Sequence, residues 1–187
     1  ITPIQILWIN MITAATLGIA LAFEHADADT MRSKPRLRNE PLLGRELMWH
    51  IALVAFLFLV GVFGMYEYAL SQGKEIDYAR TVAMNTLVVM EIFHLLYIRN
   101  FHTTRLTFDL LKGTTALWSA VGVVVIGQIT ITYHPYMQEV FGTRALESMD
   151  MIVIVGIGMA LFAIIEAEKQ IRLRWEQRHP AQNGTQV

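Results

Sequence analysis

The residues of this 187-residue chain that could do chemistry are polar side chains set inside apolar stretches. Glu91 is the foremost. A carboxylate at the centre of a bilayer costs about 2.5–3.5 kcal/mol on insertion scales, so a bound cation, a partner group or a water path must offset it. His94 follows at i+3, on the same helix face. Glu91 therefore reads either as a cation ligand or as a structural acid paired with His94 or a neighbouring helix. Asn10 and Thr13 are also three apart. Their amide and hydroxyl oxygens are hard neutral ligands for sodium, calcium or similar ions, and equally common glue between membrane helices. Asn85, Thr86 and Gln128 read as such glue. Glu67 lies where it can reach water. His50 and His94 would be the two imidazoles of a haem rival, with no other haem cue beside them.

These positions need elements to hold them. Of all residues 54% are apolar and 17% charged, against roughly a quarter charged in a soluble domain. That balance argues against disorder and a soluble secreted fold. A net charge of −1 gives no bulk attraction to nucleic acid. There is no cysteine, which removes disulfides, thiolate metal sites and thiol catalysis. The apolar residues gather in five blocks: Ile4–Phe23, Met48–Leu70, Ala79–Tyr97, Thr115–Tyr133 and Met149–Ile165. Each approaches the roughly 20 residues a membrane helix needs. Trp8, Trp49, Tyr78, Tyr97, Trp118 and Tyr133 lie near block ends, as an interfacial belt would. The expected fold is all-α: a polytopic bundle of five transmembrane helices over residues 1–180, with a disordered tail over 181–187.

Twelve of the fifteen lysines and arginines fall in the segments after the first, third and fifth blocks. The positive-inside bias puts those segments in the cytoplasm. The N-terminus is then outside, the C-terminus cytoplasmic, and the chain a multi-pass protein of the inner (plasma) membrane. A first crossing that starts outside, behind Ile1 and without a signal, leads us to expect an upstream part with an odd number of crossings. The long loop Glu24–Glu46 is broken by Pro35, Pro41 and Gly44 and is expected to be a docking surface or a solvated linker. The outer connections, Ser71–Tyr78 and His134–Ser148, read as simple connectors. The last helix is expected to run on through Glu166, Glu168, Lys169 and Arg172, with Glu168 and Arg172 paired at i,i+4.

The run from Ile6 to Arg36, ILWINMITAATLGIALAFEHADADTMRSKPR, resembles the sixth membrane helix and following loop of P-type cation-transporting ATPases of the calcium and sodium/potassium pump group. Leu7, Trp8, Asn10, Thr13, Ala20, Leu21, Glu24, Asp29, Met31, Pro35 and Arg36 carry the match. The run Ala79–Asn100 is similar to the eighth helix of bacterial members. The resemblance implies helices six to ten of a pump, with the transported monovalent or divalent cation, the lipid bilayer and the upstream catalytic and transmembrane domains as partners. It implies Asn10, Thr13 and Glu91 as cation ligands. It also implies a departure: Ala14 stands where many pumps have a central aspartate, and Ala15 where glycine is frequent. One anionic ligand fewer points to a single cation site centred on Glu91 and on groups from helices four and five upstream of these residues, in a first helix that unwinds less. The phosphorylated-aspartate motif D-K-T-G-T does not occur in these residues. ATP and magnesium are thus implied for the parent, with no cofactor in this chain. The rival reading is a non-enzymatic membrane subunit or passive channel lobe.

Overall fold

Apolar side chains drive these segments into helices because a bilayer offers no water to satisfy open backbone groups. The computed structural model describes residues 1–22, 45–99 and 115–178. The Glu24–Glu46 loop (all but its last two residues), the basic segment after the third block beyond Arg99 and the 181–187 tail lie outside the described residues. Six helices and no strand occur among the described residues. They are α1 (Pro3–Ala22), α2 (Arg45–Ser71), α3 (Ile76–Arg99), α4 (Thr115–Tyr133), α5 (Pro135–Phe141) and α6 (Ser148–Arg178).

Three of them, over Leu47–Ser71, Ile76–Ile98 and Ser148–Arg172, are long and apolar enough to cross a membrane. α4 and α5 pass that test only together and are bent by 87° at the break between them, the form of a broken span or of a re-entrant loop. The apolar part of α1, Pro3–Ala15, is shorter. All five expected blocks are helical over their described residues.

α3 is the axis of the bundle. It packs against α2, α6, α1 and α4. It is the least apolar of the three long spans and also the most buried. The two facts share a cause: its polar side chains cannot face lipid. Thr81 and Thr86 donate their hydroxyls back to Asp77 O and Val82 O within their own helix. Asn85 donates to Thr81 O at 2.9 Å and exchanges weaker bonds with Thr132 of α4 at 3.2 and 3.3 Å. Around this polar line lie four apolar clusters among the described residues, one of them Leu95, Leu117 and Val121 between α3 and α4. Ile9, Ile12, Met84, Val88, Val124 and Ile131 join α1, α3 and α4. Met65, Ala79, Val82 and Ile154 join α2, α3 and α6. Met90, Tyr97, Leu161 and Ile165 fill the space between α3 and α6 toward the other end.

Close approach depends on Gly158. A Cβ there would stand 2.4 Å from Phe93 Cδ2 and 2.8 Å from Val89 Cγ1, so only hydrogen lets α6 reach α3. On the α1–α4 side, the Trp8 ring lies over Gly127 and its Nε1 donates to Gln128 Oε1 at 3.0 Å.

The His134–Ser148 connection is more than the simple connector expected from its length. Pro135 fixes its own φ and cannot continue the hydrogen bonding of α4, so the chain turns and begins α5 there. Gly142, at φ +61°, caps α5. Gln138 Nε2 donates to Thr132 O at 2.7 Å, and Gln5 Nε2 of α1 donates to Phe141 O at 2.9 Å. α5 therefore ties the start of α1 to the end of α4.

The last helix runs on to Arg178, and Glu168 and Arg172 are paired at 3.9 Å. The extension is less solvated than its charges imply: Glu166 is 7% and Lys169 3% exposed. They stand on the face of α6 toward α3, with their charged atoms 3.9 Å apart and the Lys169 ammonium 5.9 Å from the Tyr97 ring centre.

Candidate cation site

Glu91 and Thr13, 78 positions apart, meet where α1 crosses α3. Thr13 Oγ1 lies 2.8 Å from Glu91 Oε1 and 2.9 Å from Ile9 O, one turn back in α1. A hydroxyl has one proton to donate. If Thr13 donates to Ile9 O, its lone pairs face the carboxyl, and a cation or proton must sit between the two oxygens. If it donates to Glu91, the helix carbonyl is left facing the hydroxyl oxygen.

Glu91 Oε2 is buried and has no hydrogen-bond partner among the described residues. No lysine or arginine among them pairs with Glu91, and no hydrogen bond joins it to His94. Glu91, Thr13 and His94 line one cavity of about 300 Å³. Val54 and Phe58 of α2 form its opposite wall. At roughly 30 Å³ per water, such a space can hold an ion with part of its hydration shell.

Asn10 does not share this geometry. It is exposed on α1 and does not line the cavity. A step of three residues turns a helix by about 300°, leaving neighbouring side chains about 60° apart. Thr13 is on the edge that meets α3, and Asn10 is beyond it. Ala14 and Ala15 are exposed beside it, and α1 is unbroken from Pro3 to Ala22. The local break that small residues would allow is not made. Glu67 is exposed, as its position near the end of α2 implied.

Sequence reasoning missed the surroundings of His94. Its ring lies 6.1 Å from that of His50 and 6.2 Å from that of Tyr97, all three nearly parallel, with Phe58 edge-on at 5.9 Å. The i,i+3 spacing to Tyr97 was readable from the sequence. The contributions of α2 were not.

The fold and the site together define a membrane-embedded helical domain with a carboxylate and a hydroxyl facing each other inside it. Residues 1–171 match the family described as cation transporting ATPase, C-terminus, and the chain belongs to that family. It is 34% identical over 169 residues to a protein of Mycobacterium bovis named "Probable cation-transporting ATPase F", covering 89% of this chain and 18% of that protein. It is 29% identical to calcium-transporting ATPase 1 of Yarrowia lipolytica, over 90% of this chain and 18% of that one. It is 28% identical to a calcium-transporting ATPase of Bacillus subtilis, over 84% and 18%. The chain thus spans less than a fifth of the length of these relatives.

Proposed function

We propose that this chain is the C-terminal membrane part of an ATP-driven cation pump and that Glu91 and Thr13 hold the transported cation. The observation that carries the reading is the contact itself. Two oxygen groups from separate helices face each other beside a cavity, and the carboxylate keeps a buried oxygen without a protein partner among the described residues. A charge so placed is costly unless a cation visits it.

In this reading the five blocks are five crossings, with α4 and α5 as one bent span, the N-terminus outside and the C-terminus in the cytoplasm of an inner (plasma) membrane protein. Residues 1–180 form the membrane domain. ATP hydrolysis with magnesium belongs to other parts of the pump, which are this chain's partners. Asn10 is a third ligand only if another part of the pump closes over the exposed face of α1. With Ala14 beside it in place of an acid, the site takes one cation.

The test is cation-stimulated ATP turnover of the full-length pump carrying Glu91→Gln. Loss of the anionic ligand should raise the half-activating cation concentration at least tenfold, about 1.4 kcal/mol of binding. An unchanged value would overturn the assignment.

A further inference from the structure

Gln5, Trp8, Ile9, Ile12 and Thr13 stand at i, i+3, i+4, i+7 and i+8 of α1, a single stripe along an unbroken helix. α1 packs mainly on α4 and only narrowly on α3, the helix that carries Glu91. Whatever fixes α1 against α4 and α5 therefore also fixes where Thr13 stands relative to Glu91. Gln5 is fully buried, although it belongs to the first turn of its helix. Its side-chain oxygen accepts from Thr2 N at 3.0 Å, and Thr2 Oγ1 accepts from Gln5 N at 3.4 Å, the reciprocal pair of a capping box. Capping uses only the oxygen, and a glutamate serves that purpose equally. The amide nitrogen has a different partner. It donates to Phe141 O at 2.9 Å and lies 3.5 Å from Gly142 O. These are carbonyls that a helix end leaves without a donor from its own backbone. One turn further along α1, Trp8 meets the Phe141 ring edge-on at 6.0 Å and bonds Gln128 of α4.

We propose that Gln5 is a positioning residue of the cation site: by holding the start of α1 on the end of α5, it fixes the rotation of α1 that turns Thr13 toward Glu91. The proposal rests on the reading of Thr13 and Glu91 as cation ligands and adds the device that keeps them opposed. The 87° bend between α4 and α5 is part of that device, since it brings the end of α5 to the start of α1. Thr13 is eight residues beyond Gln5, about 12 Å along the axis. A continuous helix carries a rotation of its first turn over that length. Side-chain atoms lie roughly 5 Å from the axis, so a turn of about 15° moves Thr13 Oγ1 by about 1.3 Å. That displacement is enough to take a contact of 2.8 Å out of bonding range. Gln5 thus touches no cation, and its effect reaches the site only through Thr13.

The experiment uses the full-length pump as wild type, Gln5→Leu, Thr2→Ala, Thr13→Val, Glu91→Gln and the double variant of Gln5→Leu with Thr13→Val. Gln5→Leu removes both the cap and the bond to α5, whereas Thr2→Ala weakens the cap and keeps the donor to Phe141 O. Gln5→Met, of similar length but without the amide, takes its place if Gln5→Leu yields no folded pump. ATP turnover is followed against calcium chloride, or sodium chloride where calcium does not stimulate. The half-activating concentration and the maximal rate are read separately, beside the thermal midpoint in detergent. The proposal expects Gln5→Leu to raise the half-activating concentration at least about threefold at a nearly unchanged maximal rate, and Thr2→Ala to leave it unmoved. In the Thr13→Val background Gln5→Leu should add nothing, because the ligand it positions is already gone. An equal rise in both backgrounds would overturn the proposal, since Gln5 would then act by a route that bypasses Thr13. A lowered thermal midpoint with unchanged half-activation would overturn it too, leaving Gln5 as a fastening of the fold alone. If Gln5→Leu has no effect on cation response while Glu91→Gln does, the positioning role is refuted and the cation site stands. If Glu91→Gln and Thr13→Val change no cation response, both readings fall.

Discussion

Replacing Gly158 by alanine should loosen the contact that holds α3 against α6, directly behind the segment that carries Glu91 and His94. The new Cβ would stand 2.4 and 2.8 Å from two atoms of the Phe93 ring and 2.8 Å from a Val89 methyl. Carbon atoms rest at about 3.5–4.0 Å, so the overlap is on the order of 1 Å. A phenyl ring cannot bend out of the way as an unbranched chain can. Relief requires an off-rotamer Phe93, at about 0.5–1.5 kcal/mol, or separation of the two helices. Overpacking of this kind costs about 1–3 kcal/mol. Alanine also favours helix over glycine by about 1 kcal/mol. Gly64→Ala on α2 gives the reference for that gain, because nothing lies within 4 Å of its added Cβ. The difference between the two variants should therefore be the overpacking cost, about 1–3 kcal/mol, with Gly158→Ala the less stable. The assay is the thermal midpoint of the full-length protein in detergent. Phe93→Leu in the Gly158→Ala background should recover part of the loss, since close neighbours are not additive. Equal midpoints for Gly158→Ala and Gly64→Ala would refute the close approach of α3 and α6.

Asn85 and Thr132 should show a coupling of about 0.5–1.7 kcal/mol in a double-mutant cycle with Asn85→Ala and Thr132→Val, the range for hydrogen bonds between membrane helices. Additive effects would contradict the exchange of bonds between α3 and α4. In the connection between α2 and α3, Lys74 donates to Glu147, which directly precedes α6, and that bond holds the Lys74 ammonium above its ordinary value of 10.5. A raised value means the pair stabilises the fold fully below pH 10.5 and loses its effect as pH climbs through the higher, folded value. Wild type should accordingly lose more thermal stability than Lys74→Gln above pH 10.5; parallel alkaline profiles would count against the pair. Trp8→Phe should weaken the α1–α4 seam, since it removes the only hydrogen on that ring able to bond Gln128 Oε1. A thermal midpoint no lower than wild type would contradict this.

The helices were legible in the sequence because membrane helices are written in composition, and all five apolar blocks are helical over their described residues. α5 was not, since seven residues opening on a proline carry too short a pattern to separate a helix from a turn. Glu91 was legible as a costly charge, and Asn85 and Gln128 as interhelical glue. Which side chain Glu91 would meet was not. Thr13 and Asn10 have the same spacing argument in their favour, and about 60° of rotation separates the one that reaches α3 from the one that faces out. The burial of Glu166 and Lys169 was hidden for a related reason. Charges past the end of an apolar block look solvated until a neighbouring helix, here α3, is known to run beside them.

The most direct measurement is equilibrium binding of the transported cation to the purified full-length pump in the absence of ATP, with the number of bound ions counted for wild type, Thr13→Val and Glu91→Gln. One ion per wild-type molecule, weakened in Thr13→Val and absent in Glu91→Gln, is the predicted result. A Glu91→Gln protein that still binds the same number of ions with the same affinity would show that the buried carboxylate serves the helices alone.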